Sequence, residues 1–373
     1  MSASINNSKS GNKHNFPDIR GQVILSAIVS EHLTSGEPVS SKVIAERFAG
    51  KSGLSSATIR NVMSELESGG LLEQPHTSAG RVPTDEGYRF YVDNLLGVLS
   101  LSDQDLRMIN SELGLDELSG KSTPDRLMER TSQLLSALSN NIGIVVSPSL
   151  AHDRLQHIEF VKLSDKRVLV VLVSSPNIVH NKLIRLNETL DQNELDRTAR
   201  YLNVEFSGKS LSAIRAEILT LMHEEKALFD KKLQTAMILC SQSIESESDM
   251  HGELYVDGAS NILTKSDFSD DLDQLRELLR TIEEKSRFIQ ILNECITSDN
   301  SLSDEVRVII GSENKAKPLQ DCALITAPYR IGDGSAVGTL SVLGPTRIEY
   351  ARMISVVSYM ARTLEQIMLN ESA

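Results

Sequence analysis

LSSATIRNVMSELESGGLLEQPHTSAGRVPTDEGYRFYVD, from Leu54 to Asp93, is the stretch that decides the fold of the N-terminal region. Its first half sets Ile59, Val62, Met63 and Leu66 at i, i+3, i+4 and i+7, the apolar stripe of an amphipathic helix. The opposite side carries Thr58, Arg60, Asn61, Ser64 and Glu65. Ser55 and Ser56 stand where an N-cap is wanted, and Gly69-Gly70 where the helix has to end. Leu71-Leu72 then reads as a short strand, Pro75 to Gly80 as a loop, and Arg81-Val82-Pro83 as the return. Thr84 caps a further helix bearing Tyr88, Tyr91, Val92 and Leu95.

Upstream, Val23, Ile24, Ala27, Ile28 and Leu33 keep helical spacing until Ser35-Gly36-Glu37-Pro38 breaks it. A short second helix follows, with Ser40 or Ser41 as N-cap and Val43, Ile44 and Phe48 inward; Gly50 to Gly53 turn the chain. Helix, helix, turn, helix, hairpin is the order of a winged helix-turn-helix. In that arrangement Arg60 and Asn61 are the side-chain types that read guanine and adenine edges in a major groove. Ser55, Ser56, Thr58 and Ser64 flank them, with helix-start N–H groups for a phosphate. Lys42 on the second helix and His76, Thr77, Ser78 and Arg81 at the wing are the candidates for phosphate or minor-groove contacts.

The chain of 373 residues has a formal net charge of −13, which taken alone opposes a nucleic-acid partner. Locally the balance reverses. Between Ser40 and Ser64 the bases Lys42, Arg47, Lys51 and Arg60 face only Glu46. Acids gather at Glu65, Glu67, Asp85 and Glu86, positions expected to lie away from the groove. Screening over about 8 Å at physiological salt keeps remote acids from cancelling the patch.

The first sixteen residues are Ser/Asn/Lys-rich without the apolar core of a signal peptide, and 1–19 read as a disordered tail. Residues 20–97 make the winged helix-turn-helix domain and 98–140 a helical connector, with Thr123-Pro124 as an N-cap and N1 pair. The period then changes to 2, with strands at Ile142–Val146, Leu155–Leu163, Arg167–Val173 and Ile178–Leu186. Helical spacing returns between about 190 and 248. Leu254 to Leu263 reads as strand and loop, two helices follow, and strands resume at Val306–Ile310, Ala323–Tyr329 and Ala336–Leu343. A helix from Thr346 to Leu369 ends the pattern. The layout is α+β and multidomain: one sheet, from 141–189 and 263–373, interrupted by a mostly helical insertion at 190–262.

Features of other classes carry little. Gly-Lys-Ser at Gly50, Gly120 and Gly208 lacks the glycine five positions upstream that a P-loop requires; Ala45, Leu115 and Asn203 stand there. Cys240, Cys295 and Cys322 form no CxxC pair, and an odd count fits a reducing cytoplasm. His152 and His157 have no partners at metal-ligand spacing. Absent tryptophan argues against a base-stacking platform. No enzyme, cofactor or metal is expected, and no apolar run is long enough to span a bilayer.

SSATIRNVMSELESGGLLEQPHTSAGRVPTDEGYRFYVDNLL resembles the signature of the HrcA family, bacterial repressors of chaperone operons. The resemblance continues through LYVDGASNIL (Leu254 to Leu263), VRVIIGSEN (Val306 to Asn314) and GTLSVLGPTRIEYARMISVV (Gly338 to Val357). It implies a winged helix-turn-helix, a GAF-like α/β domain and, inserted into the latter, a dimerisation domain. It also implies an inverted-repeat operator of the CIRCE type, a homodimer, and dependence on the GroEL chaperonin. A small-molecule effector in the GAF-like domain is the rival reading of that region.

Overall fold

The computed structural model describes residues 17–48, 55–77, 79–97, 100–113, 124–148, 154–163, 166–174, 178–186, 189–223, 239, 252–263, 272–297, 306–331 and 336–371. Three helices come first: α1 (Ile19–Ser35), α2 (Ser41–Phe48) and α3 (Ser56–Ser68). Asp18 caps α1 by accepting the Gly21 N–H at 2.7 Å, and Gly36 ends it at φ 74°, a left-handed turn glycine adopts without strain. Strands β1 (Leu72–Glu73) and β2 (Val82–Pro83) pair antiparallel. Val39 joins them by exchanging both backbone hydrogen bonds with Arg81 at 2.9 Å. Gly80 permits that approach, since a Cβ there would lie 2.4 Å from the Val39 carbonyl. Helix α4 (Asp85–Asn94) follows, capped by the Thr84 hydroxyl, which accepts the Gly87 N–H at 3.1 Å and donates to the Gly70 carbonyl at 2.6 Å. Ile24, Ile28, Ile44, Ile59 and Leu66 are fully buried where these helices meet. Residues 17–94 are called the head below.

The body is built on a five-stranded antiparallel sheet in the order β7-β3-β10-β9-β8. Its strands are β3 (Ile142–Val146), β7 (Leu254–Asp257), β8 (Arg307–Ile310), β9 (Cys322–Ile331) and β10 (Ala336–Pro345). Alternation along β3 sends Val145 to one face and Ile142, Ile144 and Val146 to the other, and all are buried because both faces are covered. Helices α5 (Asp103–Leu113), α6 (Pro124–Ser139) and α12 (Tyr350–Glu371) cover the first face. The second is covered by α10 (Leu272–Glu283) and α11 (Lys285–Thr297), with the short α9 (Ala259–Leu263) beside them.

A separate three-stranded sheet, ordered β4-β5-β6, holds β4 (Leu155–Lys162), β5 (Arg167–Ser174) and β6 (Ile178–Arg185). Helices α7 (Gln192–Phe206) and α8 (Leu211–His223) close a core of their own against it, around Phe160, Leu195, Leu202 and Ile214. Asn203 on α7 spans the irregular start of β4. Its side-chain oxygen accepts the Ile158 N–H at 2.8 Å, and its amide donates to the Ile158 carbonyl at 2.9 Å.

The α+β class stands, and several expectations change. Val43, expected inward on α2, is 38% exposed and Val23 of the α1 stripe 46% exposed, because the buried faces centre on Ile44 and on Ile24 and Ile28. Residues 259–263, expected as loop, form the short α9. The single sheet expected over 141–189 is divided: β4, β5 and β6 share neither sheet nor core with β3, and β7 returns the chain to the larger sheet before 262. Two-residue alternation reports which face of a strand is buried and is silent about which sheet buries it. The connector at 98–140 is in fact structural: Leu127, Leu134, Leu135 and Leu138 of α6 are buried against the sheet, and Gly143 on β3 faces the Ser132 carbonyl with no room for a Cβ. The final helix starts at Tyr350, four residues late, because Pro345 closes β10 and the chain bends at Thr346 and Ile348. Residues 1–16, Thr123 and all but Leu239 of 224–251 lie outside the described residues.

Candidate nucleic-acid interface

The orientation of α3 follows from its cap and its apolar stripe. Ser55, in extended conformation, accepts the Thr58 N–H at 3.2 Å, and its hydroxyl lies 3.0 Å from that of Thr58. The Ser56 hydroxyl meets Ser41 at 3.1 Å and ties the start of α3 to the start of α2. Ile59, Val62, Met63 and Leu66 point inward; Arg60, Asn61, Ser64 and Glu65 stand exposed, with Thr58 half-buried beside them. First-turn N–H groups have no acceptor within a helix. Ser55 takes that of Thr58, so the N–H groups of Ser56 and Ala57 are left at the positive end of the helix dipole.

Lys42 is exposed on α2, and among the described residues no carboxylate pairs with it or with Arg60. Arg47 is engaged with Glu31 at 3.5 Å. In the β1–β2 loop the Gln74 amide donates to the carbonyls of Thr77 at 3.1 Å and Ala79 at 3.0 Å, which leaves His76 and Thr77 exposed at the tip. Ser78 lies outside the described residues. Arg81 turns back into the head, and two of its guanidinium nitrogens reach one Glu67 oxygen at 2.9 Å and 2.8 Å.

The four acids expected to lie away from the groove divide. Glu67 is neutralised by Arg81, and Asp85 points to the body, where it accepts the Ser312 N–H at 2.8 Å. Glu86 lies beside Gly70. Glu65 instead shares the exposed face of α3, one turn beyond Asn61. Sequence reading missed the pairs Arg81–Glu67 and Val39–Arg81, because neither partner is placed by helical or strand spacing.

Elsewhere the chemistry is quiet. Burial pushes the Cys322 thiol up to about 12, which keeps it protonated and unreactive. Among the described residues no three His, Cys, Asp or Glu side chains gather as a metal site, and no helix is long and apolar enough to cross a membrane. Gly208 of the third Gly-Lys-Ser sits in a left-handed turn after α7; the other two tripeptides lie outside the described residues.

The family model for the HrcA protein C terminal domain matches residues 125–354. The heat-inducible transcription repressor HrcA of Syntrophobacter fumaroxidans is 36% identical over 351 residues, covering 94% of this chain and 97% of the relative. The repressor of the same name from Geobacter sulfurreducens is 37% identical over 355 residues, covering 94% and 98%. The chain belongs to the HrcA family of heat-inducible transcription repressors. A solved structure described as a hypothetical protein is 22% identical to this HrcA-family chain, covers 95% of it and 99% of itself, and superposes with a TM-score of 0.58. That likeness extends over the whole fold. The family model spans Asp125 to Ile354, from α6 through both sheets to the start of α12, whereas the curated HrcA relatives also span the head that carries α3.

Proposed function

We infer that this repressor binds an inverted-repeat operator of the CIRCE type as a homodimer, with residues 17–94 acting as a winged helix-turn-helix. The observation that carries the reading is the exposed face of α3: Thr58, Arg60, Asn61 and Ser64 stand outward while the opposite stripe is buried. Arg60 and Asn61 supply the bidentate donors and acceptors for base edges, and Ser55, Ser56 and the first-turn N–H groups face a phosphate. Lys42, His76, Thr77 and Ser78 add backbone contacts, and Arg81 supports the wing through Glu67. Repression then follows from occupancy of the promoter and needs no catalytic step, in the cytoplasm where the DNA is.

The body takes the role of the GAF-like domain, and the unit from β4 to α8 that of the inserted dimerisation domain. Its pairing surface is the sheet face turned away from α7 and α8, bearing Val161, Leu169, Val171, Val173, Val179 and Leu183. Leu169 pairs across strands with Leu183, and Val173 with Val179. Val179 and Leu183 are 56% and 54% exposed, an apolar edge that a second copy would cover.

Dependence on the GroEL chaperonin fits the topology. Strand β3 pairs with β10, nearly two hundred residues later, and with β7 across the whole insert, so the central sheet cannot close until distant segments meet. Such long-range pairing is slow and leaves apolar strands exposed during folding. Refolding with chaperonin and ATP is therefore expected to raise the operator-binding fraction, and equal recovery without them would remove this partner.

The deciding experiment is a footprint of the full chain on a CIRCE-type inverted repeat, alongside the variant Arg60→Ala/Asn61→Ala. The wild type protects both arms. Each lost bidentate contact costs about 1–3 kcal/mol, so the variant loses protection at matched concentration. Equal protection by both proteins would move base reading away from α3.

A further inference from the structure

The head is docked on the body by side chains from three of the segments that carry the family resemblance. From α4, the Asp85 carboxylate accepts the Ser312 N–H at 2.8 Å, and Gly311 lies so close that a Cβ there would sit 2.2 Å from that carboxylate. Arg89, one turn on, forks onto Glu313: Nε donates to one carboxylate oxygen at 2.7 Å and Nη2 to the other, while Nη2 also reaches the Val308 carbonyl. Glu313 is itself held by the Ile310 N–H at 2.8 Å, so its carboxylate is oriented before the arginine arrives. Between these contacts the ring of Tyr88 packs against that of Tyr350, at 5.7 Å between centroids. At the end of α1, the Arg347 guanidinium donates to the Leu33 carbonyl at 3.4 Å and lies over Gly36. Apolar packing runs through the seam without a break, from Ile24 and Tyr88 in the head to Ile310 and Tyr350 in the body.

Domains joined by a linker alone reorient freely unless their interface is large and apolar or specifically pinned. This one is pinned at several points, and Thr58, Arg60, Asn61 and Ser64 take no part in the pinning. We propose that Arg89, Glu313 and Asp85 are positioning residues that fix the angle of α3 to the body and so set the half-site spacing the dimer accepts. The proposal rests on the dimeric, inverted-repeat reading above. A rigid head gives a high effective concentration for the second half-site at one spacing and little at others. A loosened head gives an intermediate value at all of them.

The test uses the full-length repressor and a set of inverted-repeat duplexes, identical in their arms and differing in spacer by single base pairs, with a single half-site as control. Wild type is expected to prefer one spacer over its neighbours by about tenfold or more. Arg89→Gln and Glu313→Gln should flatten that preference to about threefold or less while half-site affinity stays within about twofold. Arg89→Lys, which keeps the charge and loses the fork, should fall between. Urea unfolding identifies any variant that fails to fold, and Asp85→Asn gives a milder second route to the same loosening. A wild-type spacer profile in the folded variants would overturn the proposal. So would equal losses on half-site and full site, because Arg89 would then be acting on DNA. Wild type that ignores spacing or binds no repeat would instead overturn the dimeric reading, and this proposal with it.

Discussion

Asp105 and Arg352 stand 247 positions apart and meet in a two-point ion pair, at 2.9 Å and 3.3 Å, that ties α5 to α12. The Asp105 side chain is 7% exposed and that of Arg352 41%. Tyr359 reinforces the same junction by donating to the Asn110 side chain at 3.0 Å. A helix that periodicity alone would leave as a connector is thereby fastened to the last helix of the chain.

A pH dependence follows from that pair. Hydrogen bonds from Arg352 hold the Asp105 carboxyl below its ordinary range. Its stabilising contribution is complete above the unfolded value of about 3.9 and disappears as pH falls through the lower folded value. The stability difference between wild type and Asp105→Asn, from urea unfolding, should be flat from neutral pH down to about 5 and shrink below about 4. Arg352→Ala should cost more than Asp105→Asn, about 1–3 kcal/mol at neutral pH and toward the low end because the guanidinium is solvated. A difference that grows on acidification would contradict the assignment.

Gly87 leaves no room for a side chain as α4 is packed. A Cβ there would lie 2.1 Å from the Leu71 carbonyl, where α4 crosses the start of the hairpin. Gly87→Ala should destabilise the head by about 1–3 kcal/mol, the range for forced overpacking. Urea unfolding followed by circular dichroism measures it, and unchanged stability would mean that α4 can withdraw from Leu71 at little cost.

Arg81 and Lys42 should behave differently toward salt. Arg81 is committed to Glu67, so Arg81→Ala is expected to lower head stability by about 1 kcal/mol and to change the salt dependence of DNA binding by less than one unit of slope. Lys42→Ala, from an exposed position, should leave stability alone and reduce the slope by about one. Fluorescence anisotropy titrations across a salt series decide between them; an Arg81→Ala slope change as large as that of Lys42→Ala would return Arg81 to the DNA.

Leu183→Glu introduces a charge on the open sheet face of the insert, directly opposite Leu169. If that face pairs two copies, sedimentation should show monomers that remain folded and bind a single half-site weakly. A dimer of wild-type strength would relocate the interface, for instance to the segment between α8 and β7.

Helix α3 and the caps of the head were legible because each side chain's role there is local, whereas Val23 and Val43 fit the helical spacing and still face outward. The stripe Ile59, Val62, Met63, Leu66 fixes which face is buried, Ser55 and Thr84 mark their helix starts, and Gly36 marks an end. The exposed positions Arg60, Asn61 and Ser64 follow by geometry from the buried ones. The family was legible too, since the resemblance extends through Leu254–Leu263, Val306–Asn314 and Gly338–Val357.

Sequence by itself determined which residues of α3 turn inward, where α3 and α4 start and where α1 ends, because helical period and caps are properties of a few adjacent residues. Only the tertiary structure decided that β4, β5 and β6 leave the main sheet, that α6 belongs to the body's core, that Arg81 answers Glu67 and that Arg89 answers Glu313. Those choices depend on which distant surface or opposite charge is within reach after the chain has collapsed, and no local spacing carries that information.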